Sequence, residues 1–168
     1  MKGFVTLVVL IISSIIIPAV SMVHVFVYGT LKKGQSNYHE LTNTTQGQAE
    51  FITCARTKDP YPMVIATEDK YPFLLNVPGS GQQVYGEIYK VDQKMLEFLD
   101  WFEECPELYQ RTLIQLKILK GNGEYEKAFV YSTSTFDPDW LNKPTFNVYD
   151  ATGDPGNNCV PREDKGDY

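Results

Sequence analysis

The stretch Gln83-Val84-Tyr85-Gly86-Glu87-Ile88-Tyr89-Lys90-Val91-Asp92-Gln93-Lys94-Met95-Leu96-Glu97-Phe98-Leu99-Asp100-Trp101-Phe102 changes its period part-way along. From Gln83 to Val91 the residues alternate, with Val84, Gly86, Ile88 and Lys90 on one face, which predicts a β-strand. From Asp92 the spacing becomes helical: Met95, Leu96, Leu99 and Phe102 share a face, and Asp92 suits the cap of a first turn. Pro106 disfavours helical backbone in the residue before it, so the helix ends near Cys105 and Glu103 falls in its last turn. A strand leading straight into a helix sets a mixed pattern.

Upstream, Val23 to Tyr28 reads as a buried strand of β-branched and aromatic residues that stops at Gly29, where the side-chain constraint disappears. Thr30 to Gln35 is a loop, and the polar stretch Asn37 to Gln48 has no clear period. Short strands are expected at Glu50 to Thr57, Met63 to Ala66 and Phe73 to Val77, bounded by Pro60, Pro62, Pro72 and Pro78-Gly79. Downstream, Leu108 to Leu119 and Tyr125 to Ser132 form a hairpin through Gly121-Asn122-Gly123. Beyond Phe136 the chain is rich in Pro, Asp, Asn and Gly, and residues 151–168 are expected to be an irregular tail.

The 168 residues, 43% of them hydrophobic, suit one globular domain with a sizeable core. A net charge of -6 and the lack of any Lys/Arg-rich run leave nothing to track phosphates, so nucleic acid is excluded as a partner. Cys54, Cys105 and Cys159 are widely spaced and form no CxxC pair, which indicates neither a disulfide framework nor a zinc site. Cys54 and Cys105 have no histidine near them in sequence, so they read as structural thiols rather than nucleophiles. With only His24 and His39 available, acid/base chemistry falls to carboxylates or tyrosines.

At the amino terminus Lys2 precedes an apolar run from Phe4 to Ile17, followed by Pro18-Ala19-Val20-Ser21. That is the layout of a signal peptide, too short for a membrane span. Residues 1–21 are therefore set apart as a signal peptide, with an uncleaved anchor or an N-terminal extension as the competing readings, leaving residues 22–150 as the domain. The protein is secreted if the leader acts as a signal, without stable membrane association once it is cleaved, and cytoplasmic if translation starts at Met22. Asn43-Thr44-Thr45 is a glycosylation sequon that matters only in the first case.

Two segments carry chemistry. In Tyr28-Gly29-Thr30-Leu31 a strand ends on a glycine and successive backbone N–H groups are left without a strand partner, an arrangement that can receive a carboxylate or phosphate. An ordinary strand exit has the same look. Glu103 lies among large aromatic residues at a helix C-terminus, where desolvation and the helix dipole both raise a carboxyl pKa toward the range for proton transfer near neutral pH. Local physics gives Glu104 the same standing, and Asp100, Glu103, Glu104 and Glu107 also read as a solvated acidic face.

Val25 to Gln35, the Gly86-Glu87-Ile88-Tyr89 strand, and Leu99-Asp100-Trp101-Phe102-Glu103 through Tyr109-Gln110-Arg111 together resemble, in order and spacing, the γ-glutamylcyclotransferase-like family. Phe26 to Gln35, Pro78-Gly79-Ser80-Gly81 and Phe102 to Thr112 are most similar to its γ-glutamylamine-cleaving branch. The resemblance implies an α+β fold: a small, barrel-like, largely antiparallel sheet with a few helices and the active site at one end. It implies that Tyr28, Gly29, Thr30 and Leu31 bind a small-molecule γ-glutamyl substrate, and that the glutamate after Leu-Asp-x-x, Glu103, is the acid/base catalyst. The implied reaction closes the substrate's α-amine onto its γ-carbonyl, giving 5-oxoproline and a free amine, lysine when the substrate is γ-glutamyl-ε-lysine from degraded transglutaminase crosslinks. The alternatives are γ-glutamyl amino acids or glutathione as substrates, or a binding module without turnover. No metal and no cofactor is implied.

Overall fold

The computed structural model describes residues 21–152 and Cys159. The leader, apart from Ser21, lies outside the described residues, as does most of the tail. In chain order the elements are β1 (Met22–Val27), α1 (Tyr38–Thr42), β2 (Ala49–Thr57), β3 (Met63–Ile65), β4 (Pro72–Leu74), β5 (Tyr85–Asp92), α2 (Gln93–Phe102), β6 (Gln110–Ile118), β7 (Tyr125–Ser132) and a 3-10 helix, Pro138–Asn142. Five strands close into a barrel in the order β1-β5-β2-β6-β7, while β3 and β4 make a separate two-stranded sheet. Pairing around the barrel is antiparallel except at the closing seam, where β1 meets β7 in parallel at Val25 and Phe129.

Side-chain alternation divides the apolar residues between two clusters. Phe26, Ala55, Ile88, Ile114, Leu116, Ala128 and Val130 come from all five barrel strands and meet in one of them. Val25, Val27, Tyr89 and Val91, on the opposite faces of β1 and β5, join Met95, Leu96 and Leu99 of α2 in the other. β5 is therefore buried on both faces over most of its length, rather than on the single face that its alternation suggests. Gly86 is where β1 and β5 crowd together: a Cβ there would lie 2.3 Å from the Val27 carbonyl oxygen and 2.7 Å from the Phe26 ring.

The expected helix forms with its cap. The Asp92 side chain accepts from Met95 N–H at 2.8 Å, and α2 buries Met95, Leu96 and Leu99 while Trp101 stays exposed. The helix closes in a Schellman arrangement: Glu104 N–H donates to Trp101 O at 3.2 Å and Cys105 N–H to Asp100 O at 2.8 Å. This puts Glu104 in the left-handed region at φ 49°. α1, too short to show a period, lies within the stretch that carried no assignment. The strand expected at Phe73 to Val77 is confined to β4, after which Leu75 bridges to Thr133.

The cysteine reading fails at one point. Cys54 and Cys159 form a disulfide with Cα atoms 5.0 Å apart, across 105 residues of sequence, so Cys54 is not a free structural thiol. The fold brings Cys54 of β2 to Cys159, and no local spacing signals such a pairing. Cys105 remains free and half-buried.

Candidate active site

A cavity of about 220 Å³ opens where β1 runs out. Phe26 to Leu31 form one side, Tyr71 to Phe73 another, and Phe102, Glu103 and Glu104 bring in the end of α2. Asn37, Leu108, Tyr109 and Tyr131 complete the lining. All five residues singled out in the sequence, Tyr28, Gly29, Thr30, Leu31 and Glu103, thus meet in one space although the two segments are far apart in the chain.

The turn after β1 is closed by Lys32 N–H donating to Gly29 O at 3.1 Å, and it is braced by Asn37, whose N–H donates to Thr30 O at 3.0 Å and whose Nδ2 donates to Thr30 Oγ1 at 3.1 Å. Among the described residues no hydrogen bond engages the N–H groups of Gly29, Thr30 or Leu31. Gly29 is required by close approach: a Cβ there would lie 2.8 Å from Pro72 Cγ. The Leu31 side chain is buried in the core, so this residue borders the cavity while anchoring the turn. Tyr28 is committed too, its hydroxyl donating to Tyr131 O at 3.0 Å and accepting from Leu74 N–H at 3.3 Å. What the turn offers a ligand is its backbone donors and the Tyr28 ring.

Glu103 caps the C-terminus of α2, its N–H donating to Leu99 O at 2.9 Å. Burial alone pushes its carboxyl up to about 7. Its charge in turn raises the pKa of Tyr28 and Tyr109, whose larger cause is their own burial. Glu104, one residue on, is exposed. The left-handed turn at Glu104 separates the environments of two side chains that the sequence left equivalent.

Several lining residues went unrecognised. Tyr109 stacks on Phe73 with ring centroids 5.5 Å apart and donates to Pro72 O at 3.2 Å. The Tyr131 hydroxyl donates to Asp100 Oδ1 at 2.7 Å, and Arg111 pairs with Asp100 Oδ2 at 2.5 Å. Asp100 therefore ties the last turn of α2 to β6 and β7, and so sets where Glu103 stands. Tyr109 and Arg111 lie within the quoted string without showing these partners; Asn37, Tyr71 and Tyr131 carry no cue of their own. Among the described residues no group of three or more His, Cys, Asp or Glu is placed to hold a metal ion.

A family model described as gamma-glutamyl cyclotransferase, AIG2-like, matches residues 25–150. The chain belongs to this family. The gamma-glutamylaminecyclotransferase A of Danio rerio is 84% identical to this γ-glutamyl cyclotransferase family member over 154 residues, spanning 92% of this chain and 95% of that one. The Homo sapiens gamma-glutamylaminecyclotransferase is 46% identical over 153 residues, covering 86% of this chain and all of its own. Among solved structures, an AIG2-like protein from Mus musculus superposes with a TM-score of 0.76 at 46% identity, covering 86% of this chain and 99% of that one. The small barrel with a largely antiparallel sheet expected from the resemblance is the fold of this γ-glutamyl cyclotransferase family member.

Proposed function

We propose that this chain is a γ-glutamylamine cyclotransferase that converts γ-glutamyl-ε-lysine to 5-oxoproline and lysine in the cavity at the end of β1, with Glu103 moving the protons. The class of enzyme is that of its family and of the relatives named above. The observation that carries the assignment of roles is a half-buried carboxyl, raised to about 7, facing the same cavity as a turn with spare backbone donors.

The reaction balances without water or a cofactor. The substrate's α-ammonium loses a proton to Glu103, and the freed amine attacks the γ-carbonyl, closing a five-membered ring. The oxygen gains negative charge, which the N–H groups of Gly29, Thr30 and Leu31 are suited to receive. Glu103 returns a proton to the leaving nitrogen as the C–N bond breaks, and a second proton from the attacking nitrogen completes the outgoing ammonium. A carboxyl near pKa 7 is matched to both transfers at neutral pH. Because attack is intramolecular, holding the substrate folded lowers the barrier by placing the reacting atoms together.

The wall formed by Tyr71, Pro72, Phe73, Phe102 and Leu108 is apolar and suits the four-methylene chain of lysine, whereas a γ-glutamyl amino acid brings a carboxylate next to the scissile amide. The test is 5-oxoproline release from γ-glutamyl-ε-lysine, γ-glutamyl-alanine and glutathione side by side. The first is expected to turn over fastest, and Glu103→Gln to lower its kcat at least about a hundredfold while the circular dichroism spectrum is kept. Full activity in that variant sinks the assignment. Binding of 5-oxoproline without turnover of any substrate would make the chain a binding module instead.

A further inference from the structure

The chain beyond the 3-10 helix comes back to the turn after β1 and is fastened to the residues that follow it. Lys32 Nζ, 1% exposed, donates to Tyr149 O at 2.6 Å. Gln35, 6% exposed, clasps the next residues from both ends of its amide, with Nε2 donating to Asp150 Oδ1 at 3.0 Å and Oε1 accepting from Ala151 N–H at 3.0 Å. Thr152 Oγ1 donates to Gly34 O at 3.3 Å. On the barrel beneath, buried Glu87 accepts from Lys33 N–H at 3.0 Å and from the Tyr89 hydroxyl at 2.9 Å.

The disulfide belongs to the same assembly. Cys54 on β2 is paired across the ladder with Glu87 on β5, which is paired in turn with Val27 on β1. Directly paired residues of neighbouring strands present their side chains on one face, so the disulfide fastens Cys159 to the face of the row that holds Glu87 and leads to the turn. A buried ammonium and a buried carboxylate are costly to desolvate unless each finds partners. Here the Tyr149 carbonyl serves the ammonium, and the Lys33 N–H and the Tyr89 hydroxyl serve the carboxylate.

We propose that Tyr149–Thr152, tethered to β2 by the Cys54–Cys159 disulfide seven residues further on, is a positioning element for the Gly29–Leu31 turn, acting through Lys32 and Gln35. This rests on reading that turn as the γ-glutamyl-binding one. The physical reason is that the turn meets substrate with backbone N–H groups, whose places are set by the chain on either side. β1 holds one end. Lys32 to Gln35 hold the other, and the strap holds them. Loss of an ångström of register at such donors weakens substrate binding without touching Glu103.

The experiment compares oxidised protein, protein reduced with dithiothreitol, and Cys159→Ser, by two readouts. Amide hydrogen exchange at Gly29–Leu31 reports on the strap independently of turnover, and steady-state kinetics on γ-glutamyl-ε-lysine separate KM from kcat. Reduction is expected to speed exchange at these amides about tenfold or more and to raise KM about five- to tenfold, the effect of roughly one lost hydrogen bond, with kcat within twofold. Cys159→Ser should match the reduced protein and respond no further to reductant. If that variant does not fold, Gln35→Ala in the oxidised protein should raise KM in the same sense. Unchanged exchange and KM on reduction overturn the proposal, as does a fall in kcat at constant KM. Exchange that responds in a protein without turnover leaves the positioning role standing and overturns the catalytic reading instead.

Discussion

Glu103 ties the proposed chemistry to stability at one position. In the proposed reaction its carboxyl, raised by burial to about 7, must be ionised to take a proton from the substrate, so kcat/KM should climb with pH through about 7 and level off above it. A pH profile of 5-oxoproline release checks this, and a limb centred near the ordinary carboxylate range would place the proton transfer elsewhere. The same shift opposes folding. In the unfolded chain Glu103 ionises near its ordinary 4.5, so the unfolded state is favoured progressively as pH rises from there to about 7, and the full penalty is present above that. Glu103→Gln should therefore be more stable than wild type at pH 8, on the order of 2 kcal/mol after allowance for its partial exposure, and close to wild type at pH 4. Urea midpoints at the two pH values measure it; equal midpoint differences at both would rule out the raised pKa. Gly29 is constrained differently, by 2.8 Å between a built Cβ and Pro72 Cγ. Gly29→Ala forces the turn and β4 apart, and should cost about 1–3 kcal/mol together with much of the activity. Wild-type stability and activity in that variant would show that the turn can move.

At the scale of elements, the last turn of α2 stores a removable strain. Glu104 occupies the left-handed position of the Schellman closure at φ 49°, which glycine adopts at lower cost. Glu104→Gly should raise stability by about 0.5–1 kcal/mol, and Glu104→Ala, which keeps the Cβ, should not; urea titrations of the pair distinguish the backbone effect from removal of a charge. Elements like α2 were legible because periodicity and capping are local: Met95, Leu96 and Leu99 announce the buried face, and Asp92 its start. The alternation that announced β5 also misled, since it cannot show that Tyr89 and Val91 are covered by α2. β4 was overextended because Leu75 is buried without being in a strand. Glu103 and the Tyr28–Leu31 turn could be named from the sequence only through family resemblance. Their surroundings could not, because Tyr131, Asp100 and Arg111 become neighbours only when β6 and β7 close on α2.

For the whole molecule, closure depends on contacts between residues distant in the chain, and two of the barrel's seams are short. β1 and β7 meet at Val25 and Phe129, and β2 pairs with β6 over Ala55 to Thr57. The Cys54–Cys159 disulfide spans 105 residues and encloses every barrel strand except β1 and most of β2. In the unfolded chain such a large closed loop removes much conformational freedom, an effect of about 2–5 kcal/mol in favour of the folded state. β1 lies outside that loop and is held by its antiparallel register with β5 from Met22 to Val27, so the barrel retains its own means of closure when the bond is broken. Reduction is thus expected to lower stability without unfolding the protein at 25 °C. For a domain of this size a loss of about 3 kcal/mol corresponds to a melting temperature roughly 10 °C lower, and the urea m-value should rise because the reduced unfolded chain is more expanded. Thermal and urea melts with and without dithiothreitol, with Cys159→Ser as the reductant-insensitive control, test both quantities. Identical melting temperatures in the two states would mean that Cys159 is not bonded to β2 in solution, and Tyr149–Thr152 would lose that tether.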